Sequence, residues 1–110
     1  MNLAQALGFP PDERLLIINA DDYGMCHSAN AGIHLLLAEG AISSATIMMP
    51  CPWAKEAAQW AAAHPDVDVG VHLTFTSEWN TYRWGPVTRR QTVSSLITNE
   101  GYFPCDCRTV

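Results

Sequence analysis

The most restrictive feature of this sequence is a rhythm: three short apolar segments alternate with two helix-patterned ones, and turn formers stand at each junction. Leu15-Leu16-Ile17-Ile18 opens an apolar run that reads as a strand buried on both faces and ends in Asn19-Ala20-Asp21-Asp22-Tyr23-Gly24. Ser28 then suits the N-cap of a helix with Ile33, Leu36 and Leu37 on one stripe, closed by Gly40. Ser44 to Met49 predicts a second strand, stopped by Pro50 and Pro52. Trp53 to His64 predicts an alanine-rich helix with Trp53, Ala57, Trp60 and Ala61 on a shared face, ended by Pro65. Val67, Val69, Val71 and Leu73 alternate with Asp68, Gly70, His72 and Thr74, the pattern of a strand with one apolar face. Strand, helix, strand, helix, strand with short connections implies parallel strands joined by right-handed crossovers, an α/β architecture.

The flanks are less regular. A short helix-prone lead, Asn2 to Leu7, is cut off by Gly8, Pro10 and Pro11. After Phe75 the chain becomes a loop rich in aromatics and turn formers, Ser77 to Pro86, with a short helical stretch expected around Thr92 to Ile97 and a turn at Asn99-Glu100-Gly101.

A chain of 110 residues that is 48% hydrophobic supports one core and is too short for two ordinary domains. Its formal net charge of −5 argues against nucleic acid or an anionic membrane as partner, since no lysine run or basic stripe exists to neutralise phosphates. Arg83, Arg89, Arg90 and Arg108 cluster in the last third and read as a solvated loop surface, with an anionic ligand as the alternative. Met1 to Gly8 lacks a basic and apolar leader pattern, and no apolar run approaches the ~20 residues that span a bilayer, so a cytoplasmic protein is expected. Cys26, Cys51, Cys105 and Cys107 lack the paired spacing of a structural zinc site and are expected to be reduced.

In parallel α/β folds the reactive groups collect at the carboxyl ends of the strands. Asp21-Asp22 end the first strand here and His72 ends the third. Strand alternation sends Asp21 and Asp22 to opposite sides, so one can hold a metal while the other handles protons. Two adjacent carboxylates repel unless a cation or proton relieves them, which favours a divalent metal; a plain turn or helix-capping pair is the other reading. His72 is either a hydrogen-bonded interior histidine or a ligand, and its position level with the aspartates favours ligation. His27, His34 and His64 carry less weight, the latter two reading as surface or capping residues, and Met25, Met48 and Met49 read as core filler. Trp79, Tyr82 and Trp84 suit either stacking on a pyranose face or packing against a remainder of the fold that lies outside this sequence.

The run Ile17-Ile18-Asn19-Ala20-Asp21-Asp22-Tyr23-Gly24, Asn30, Gly32-Ile33, Glu39-Gly40, Ser43 to Met49 and Gly70-Val71-His72-Leu73-Thr74 resembles the YdjC-like carbohydrate deacetylase family. Thr76 to Val87 and Gly101-Tyr102-Phe103-Pro104 look like loops of the same family. The resemblance implies an irregular TIM-like (β/α) barrel that removes N-acetyl groups from amino sugars such as chitooligosaccharides with a divalent cation, magnesium or zinc. It assigns the general base to Asp21, metal ligation to Asp22 and His72, and a further histidine ligand to a later strand. No histidine follows His72 in this sequence. Barrels of this kind need roughly 250 residues, so residues 1–110 are expected to form the N-terminal part of a single barrel domain whose C-terminal half is absent. An open half-barrel exposes strand edges, and pairing with a second copy or a further segment is expected.

Two other classes compete. A signalling receiver module also carries an acidic pair after its first strand but needs an aspartate where His72 stands. A non-catalytic truncated remnant would bind a sugar or partner through Trp79, Tyr82 and Trp84.

Overall fold

The computed structural model describes residues 2–88 and 90–109. A single turn of helix, α1 (Leu3–Ala6), is closed by a capping box in which Asn2 and Gln5 exchange side-chain-to-backbone hydrogen bonds. Three strands follow, β1 (Asn19–Tyr23), β2 (Ser44–Ile47) and β3 (Asp68–Val71), pairing in parallel in the order β1-β2-β3. Helix α2 (His27–Ala38) connects the first pair and α3 (Ala54–Ala63) the second. Cys26 rather than Ser28 takes the N-cap position of α2; Gly40, at φ 66°, turns the chain out of it.

One face of the sheet is covered by both helices. Ala20 and Tyr23 of β1, Ala45 and Ile47 of β2 and Val69 of β3 meet Ile33 and Leu37 of α2 and Ala54 and Ala57 of α3 in one cluster. Burying Ile33 and Leu37 contributes about 1.5–3 kcal/mol each. Leu36, expected on the same stripe, is exposed, as is Trp53. The other face of the sheet carries Asn19, Asp21, Ser44 and Thr46, which hydrogen-bond one another instead of packing under a helix.

The core-facing residues of β1 are Ala20 and Tyr23, three apart where a regular strand requires two. The pairing register explains this: Ala20 lies opposite Ala45 and Tyr23 opposite Ile47, with an irregularity between them. One extra residue is accommodated at Asp21-Asp22, and Asp22 adopts φ 61°, the left-handed region. A bulge, not the simple alternation expected from sequence, therefore sets the directions of the two carboxylates.

Two further expectations are corrected. Leu15 to Ile18 do not form a strand buried on both faces; Ile17 is 80% exposed. Ile18 is tied to the start of β2, its N–H donating to Ser43 Oγ at 3.1 Å and its carbonyl accepting from Ser43 N at 2.8 Å and Ser44 N at 3.3 Å. Of the expected apolar alternation, Val69 of β3 packs on the core while Val71 and, beyond the strand, Leu73 lie exposed, Leu73 by 80%. The radius of gyration is 17.3 Å, against roughly 13 Å for a closed domain of this length.

The segment after β3 folds back over the carboxyl ends of the strands. Met48 and Cys51 pack with Trp84 and Phe103 in a second cluster. Ser77 organises it, its hydroxyl accepting from Trp84 N at 3.0 Å and from Arg83 Nε at 3.2 Å. A Cβ at Gly85 would lie 2.4 Å from Gly101 O, so only glycine allows the two loops to touch. The expected helical stretch appears as two 3-10 turns, Arg90–Thr92 and Ser94–Leu96. Arg83 donates to Phe103 O at 2.6 Å and Arg108 pairs with Asp106 at 2.5 Å; Arg89 lies outside the described residues. All four cysteines are free thiols. Among the described residues no helix is long and apolar enough to cross a membrane.

Candidate functional site

The bulge after Ala20 delivers the acidic pair to the carboxyl edge of the sheet, and the turn at Gly24 holds it there. Gly24, at φ 89°, bends the chain where a Cβ would come within 2.9 Å of Ala54 Cα. Asn30 on α2, fully buried, clamps this turn: its Oδ1 accepts from Gly24 N at 2.7 Å while its Nδ2 donates to Trp53 O at 3.1 Å and Glu56 Oε1 at 3.0 Å. The Asn30 amide, with His27 as a weaker contributor, holds the Glu56 carboxyl below its ordinary value. The acidic loop is thereby fixed to both helices.

Asp21 and Asp22 meet different surroundings. Asp21 Oδ1 accepts from Asn19 Nδ2 at 2.7 Å and from Thr46 Oγ1 at 3.2 Å. The Asp22 carboxylate has no hydrogen-bond partner among the described residues, and its backbone N–H points at His72 Nδ1 from 3.5 Å. Burial first, and then the Asp22 and Glu78 carboxylates, push the Cys51 thiol up to about 11.

His72 follows β3 directly and continues its pairing, its N–H donating to Ile47 O at 2.9 Å. Its half-buried ring reaches across the end of β2, with Nδ1 3.4 Å from Thr46 Oγ1. No described residue hydrogen-bonds Nε2. Asp21 and His72 therefore meet in a single polar row, together with Asn19 and Thr46, and Asp22 adjoins it through its backbone N–H. Neither Asn19 nor Thr46 stands out by residue type, although Ser44-Ala45-Thr46-Ile47 shows the alternation that puts Ser44 and Thr46 on the face away from the helices.

No group of three or more His, Cys, Asp or Glu side chains converges on one point among the described residues. A free carboxylate and a free imidazole nitrogen nevertheless fit part of a shell, since magnesium commonly takes one or two carboxylates and several waters, and zinc accepts both donor types.

Beside the acidic loop lies a hollow of about 250 Å³ lined by Met25, Cys26, Trp79, Thr81 and Tyr82. Trp79 is 56% exposed. Tyr82 is anchored by its hydroxyl, which donates to Met25 O at 2.7 Å. Trp84 is different: at 3% exposure, with its indole N–H donating to Thr76 O at 2.7 Å, both faces are packed and it offers no stacking surface. The Ser28 hydroxyl lowers the Cys26 thiol pKa at the hollow's edge.

The other histidines have local partners. His27 pairs with Glu56 at 3.2 Å, His34 stacks half-buried on Trp60 with centroids 4.4 Å apart, and His64 Nδ1 donates to Trp60 O, 2.8 Å away.

Comparison with known proteins gives a consistent result. The family model described as "YdjC-like protein" matches residues 15–110. A carbohydrate deacetylase of Thermoanaerobacter pseudethanolicus is 32% identical over 90 residues, covering 82% of this chain and 34% of that protein. A chitooligosaccharide deacetylase of Yersinia enterocolitica is 42% identical over 64 residues, 58% of this chain and 25% of the relative. A crystal structure from Enterococcus faecalis V583, of a protein named for cellobiose-phosphate cleavage, superposes with a TM-score of 0.67 at 34% identity, over 80% of this chain and 33% of its own. The chain thus spans between a quarter and about a third of the length of the relatives it matches.

Proposed function

The chain belongs to the YdjC-like family, and from that premise we propose that residues 1–110 are the N-terminal part of a metal-dependent carbohydrate deacetylase built on a (β/α) barrel. Sequential strand order and two helices on one face are what the first segments of such a barrel require, whereas a doubly wound sheet places helices on both faces. The unhelical face, with Asn19, Asp21, Ser44 and Thr46, would line the barrel interior.

The observation that carries the functional reading is the 3.5 Å approach of His72 Nδ1 to the backbone of Asp22, which joins the ends of β1 and β3. Asp22 and His72 would hold the cation, magnesium or zinc, through the carboxylate and Nε2 that the fold leaves free. When bound, the cation polarises the amide carbonyl and makes water more acidic. Asp21 acts as general base: Oδ1 is occupied by Asn19 and Thr46, so Oδ2 is the oxygen that takes the proton of the attacking water. Water adds to the amide carbon, the carbon–nitrogen bond breaks, and the proton passes to the departing amine, leaving acetate and an amino sugar. Trp79 and Tyr82 would receive the sugar ring in the hollow beside the acidic loop.

The names of the relatives, carbohydrate deacetylase and chitooligosaccharide deacetylase, support an N-acetylated sugar or oligosaccharide as substrate. The test is acetate release from N-acetylated chitooligosaccharides together with calorimetric metal titration, on protein expressed from its whole reading frame. Asp22→Ala and His72→Ala are expected to weaken metal binding, and Asp21→Asn to keep metal and lose turnover. Unchanged metal affinity in both ligand variants would refute the assignment.

A further inference from the structure

Thr46 sits where the proposed ligand and the proposed base meet. Its Oγ1 lies 3.2 Å from Asp21 Oδ1, 3.4 Å from His72 Nδ1 and 3.4 Å from Asn19 Nδ2. A hydroxyl has one proton and two lone pairs. An ionised carboxylate only accepts, so the hydroxyl proton belongs to Asp21, and the Asn19 amide N–H uses one lone pair. The remaining lone pair faces His72 Nδ1 and is satisfied only when that nitrogen carries the proton.

The backbone N–H of Asp22 makes the opposite demand. It points at the same Nδ1 from 3.5 Å and is satisfied only by the other tautomer, in which Nδ1 has the lone pair and Nε2 the proton. The two contacts are mutually exclusive. Only the tautomer with Nδ1 protonated frees the Nε2 lone pair, which no described residue engages, for a cation.

Resting on the metal-centre reading above, we infer that Thr46 is the positioning residue of this centre: it accepts from His72 Nδ1, donates to Asp21 Oδ1, and so selects the ligating tautomer of the histidine while orienting the base. Asn19 completes the arrangement by donating to both Thr46 and Asp21. Removing the hydroxyl leaves the Asp22 N–H as the only partner of Nδ1 among the described residues, which favours a protonated Nε2 that must give up its proton before ligation.

The test uses zinc alone as probe, titrated calorimetrically into the full protein and its Thr46→Val, Thr46→Ser and His72→Ala variants, with nitrogen-15 NMR of the His72 ring. Loss of such outer-shell partners typically weakens metal binding about 10–100-fold, and that loss is expected for Thr46→Val, with Thr46→Ser restoring affinity. In zinc-bound wild type the Nδ1 resonance should be that of a protonated nitrogen, and the zinc-free Thr46→Val ring should move toward the Nε2-protonated form. Wild-type zinc affinity in Thr46→Val while His72→Ala loses binding would overturn the role of Thr46 alone, as would zinc on Nδ1 in the spectrum. Wild-type affinity in His72→Ala as well would remove the histidine as ligand, and the inference with it.

Discussion

Asp22 holds a carboxylate at a backbone position that side chains avoid, and a pair of substitutions isolates that cost. At φ 61° an L-residue pays about 1–2 kcal/mol relative to glycine, while glycine loses about 0.5–1 kcal/mol to alanine through its freer unfolded chain. Asp22→Gly and Asp22→Ala both delete the carboxylate and both retain the N–H that faces His72, so their difference reports the backbone alone. Asp22→Gly should be the more stable by about 1 kcal/mol, the reverse of the order at an ordinary strand position. Urea unfolding followed by tryptophan fluorescence would read this as a midpoint about 0.5–1 M higher for the glycine variant. Both variants should lose metal binding equally. If the alanine variant proved as stable as the glycine variant, the bulge geometry and the strain argued from it would be wrong.

Gly24→Ala combines a φ of 89° with a Cβ placed 2.9 Å from the Ala54 backbone, and should cost more than ~2 kcal/mol by thermal or urea unfolding. Asn30→Ala strands the Gly24 N–H and the Trp53 carbonyl in a buried site; a loss of about 3 kcal/mol is expected, read as a drop of more than ~10 °C in thermal midpoint. Cys26, whose thiol pKa is lowered, should alkylate with iodoacetamide well before Cys51, which burial pushes up to about 11, and peptide mass spectrometry at neutral pH would reveal the order.

The β/α rhythm was legible in the sequence because helix and strand periods differ and because Gly40 and Pro65 mark the helix ends. The acidic pair and His72 were legible as strand-end residues. What escaped has identifiable causes. Leu15 to Ile18 are as apolar as any buried strand, but periodicity does not say whether a neighbouring strand exists to cover them. The bulge at Asp21-Asp22 leaves no trace in residue type, since aspartate serves equally in a strand end, a turn and a left-handed position. Trp84 is chemically indistinguishable from Trp79 in sequence; hydrogen bonds to Ser77 Oγ, Phe103 N and Thr76 O hold one in the second cluster, while the other stays at the surface. Thr46 reads as an ordinary strand residue until the fold brings Asp21 and His72 to either side of its hydroxyl.

On the proposed function, one cation is gripped by the Asp22 carboxylate and the His72 imidazole. Anomalous diffraction from crystals of the full protein grown with zinc tests it most directly. A zinc peak is expected about 2.0–2.2 Å from an Asp22 oxygen and from His72 Nε2, with Asp21 outside bonding distance. Zinc bound at other residues, or bonded to Asp21 and not to Asp22, would contradict it.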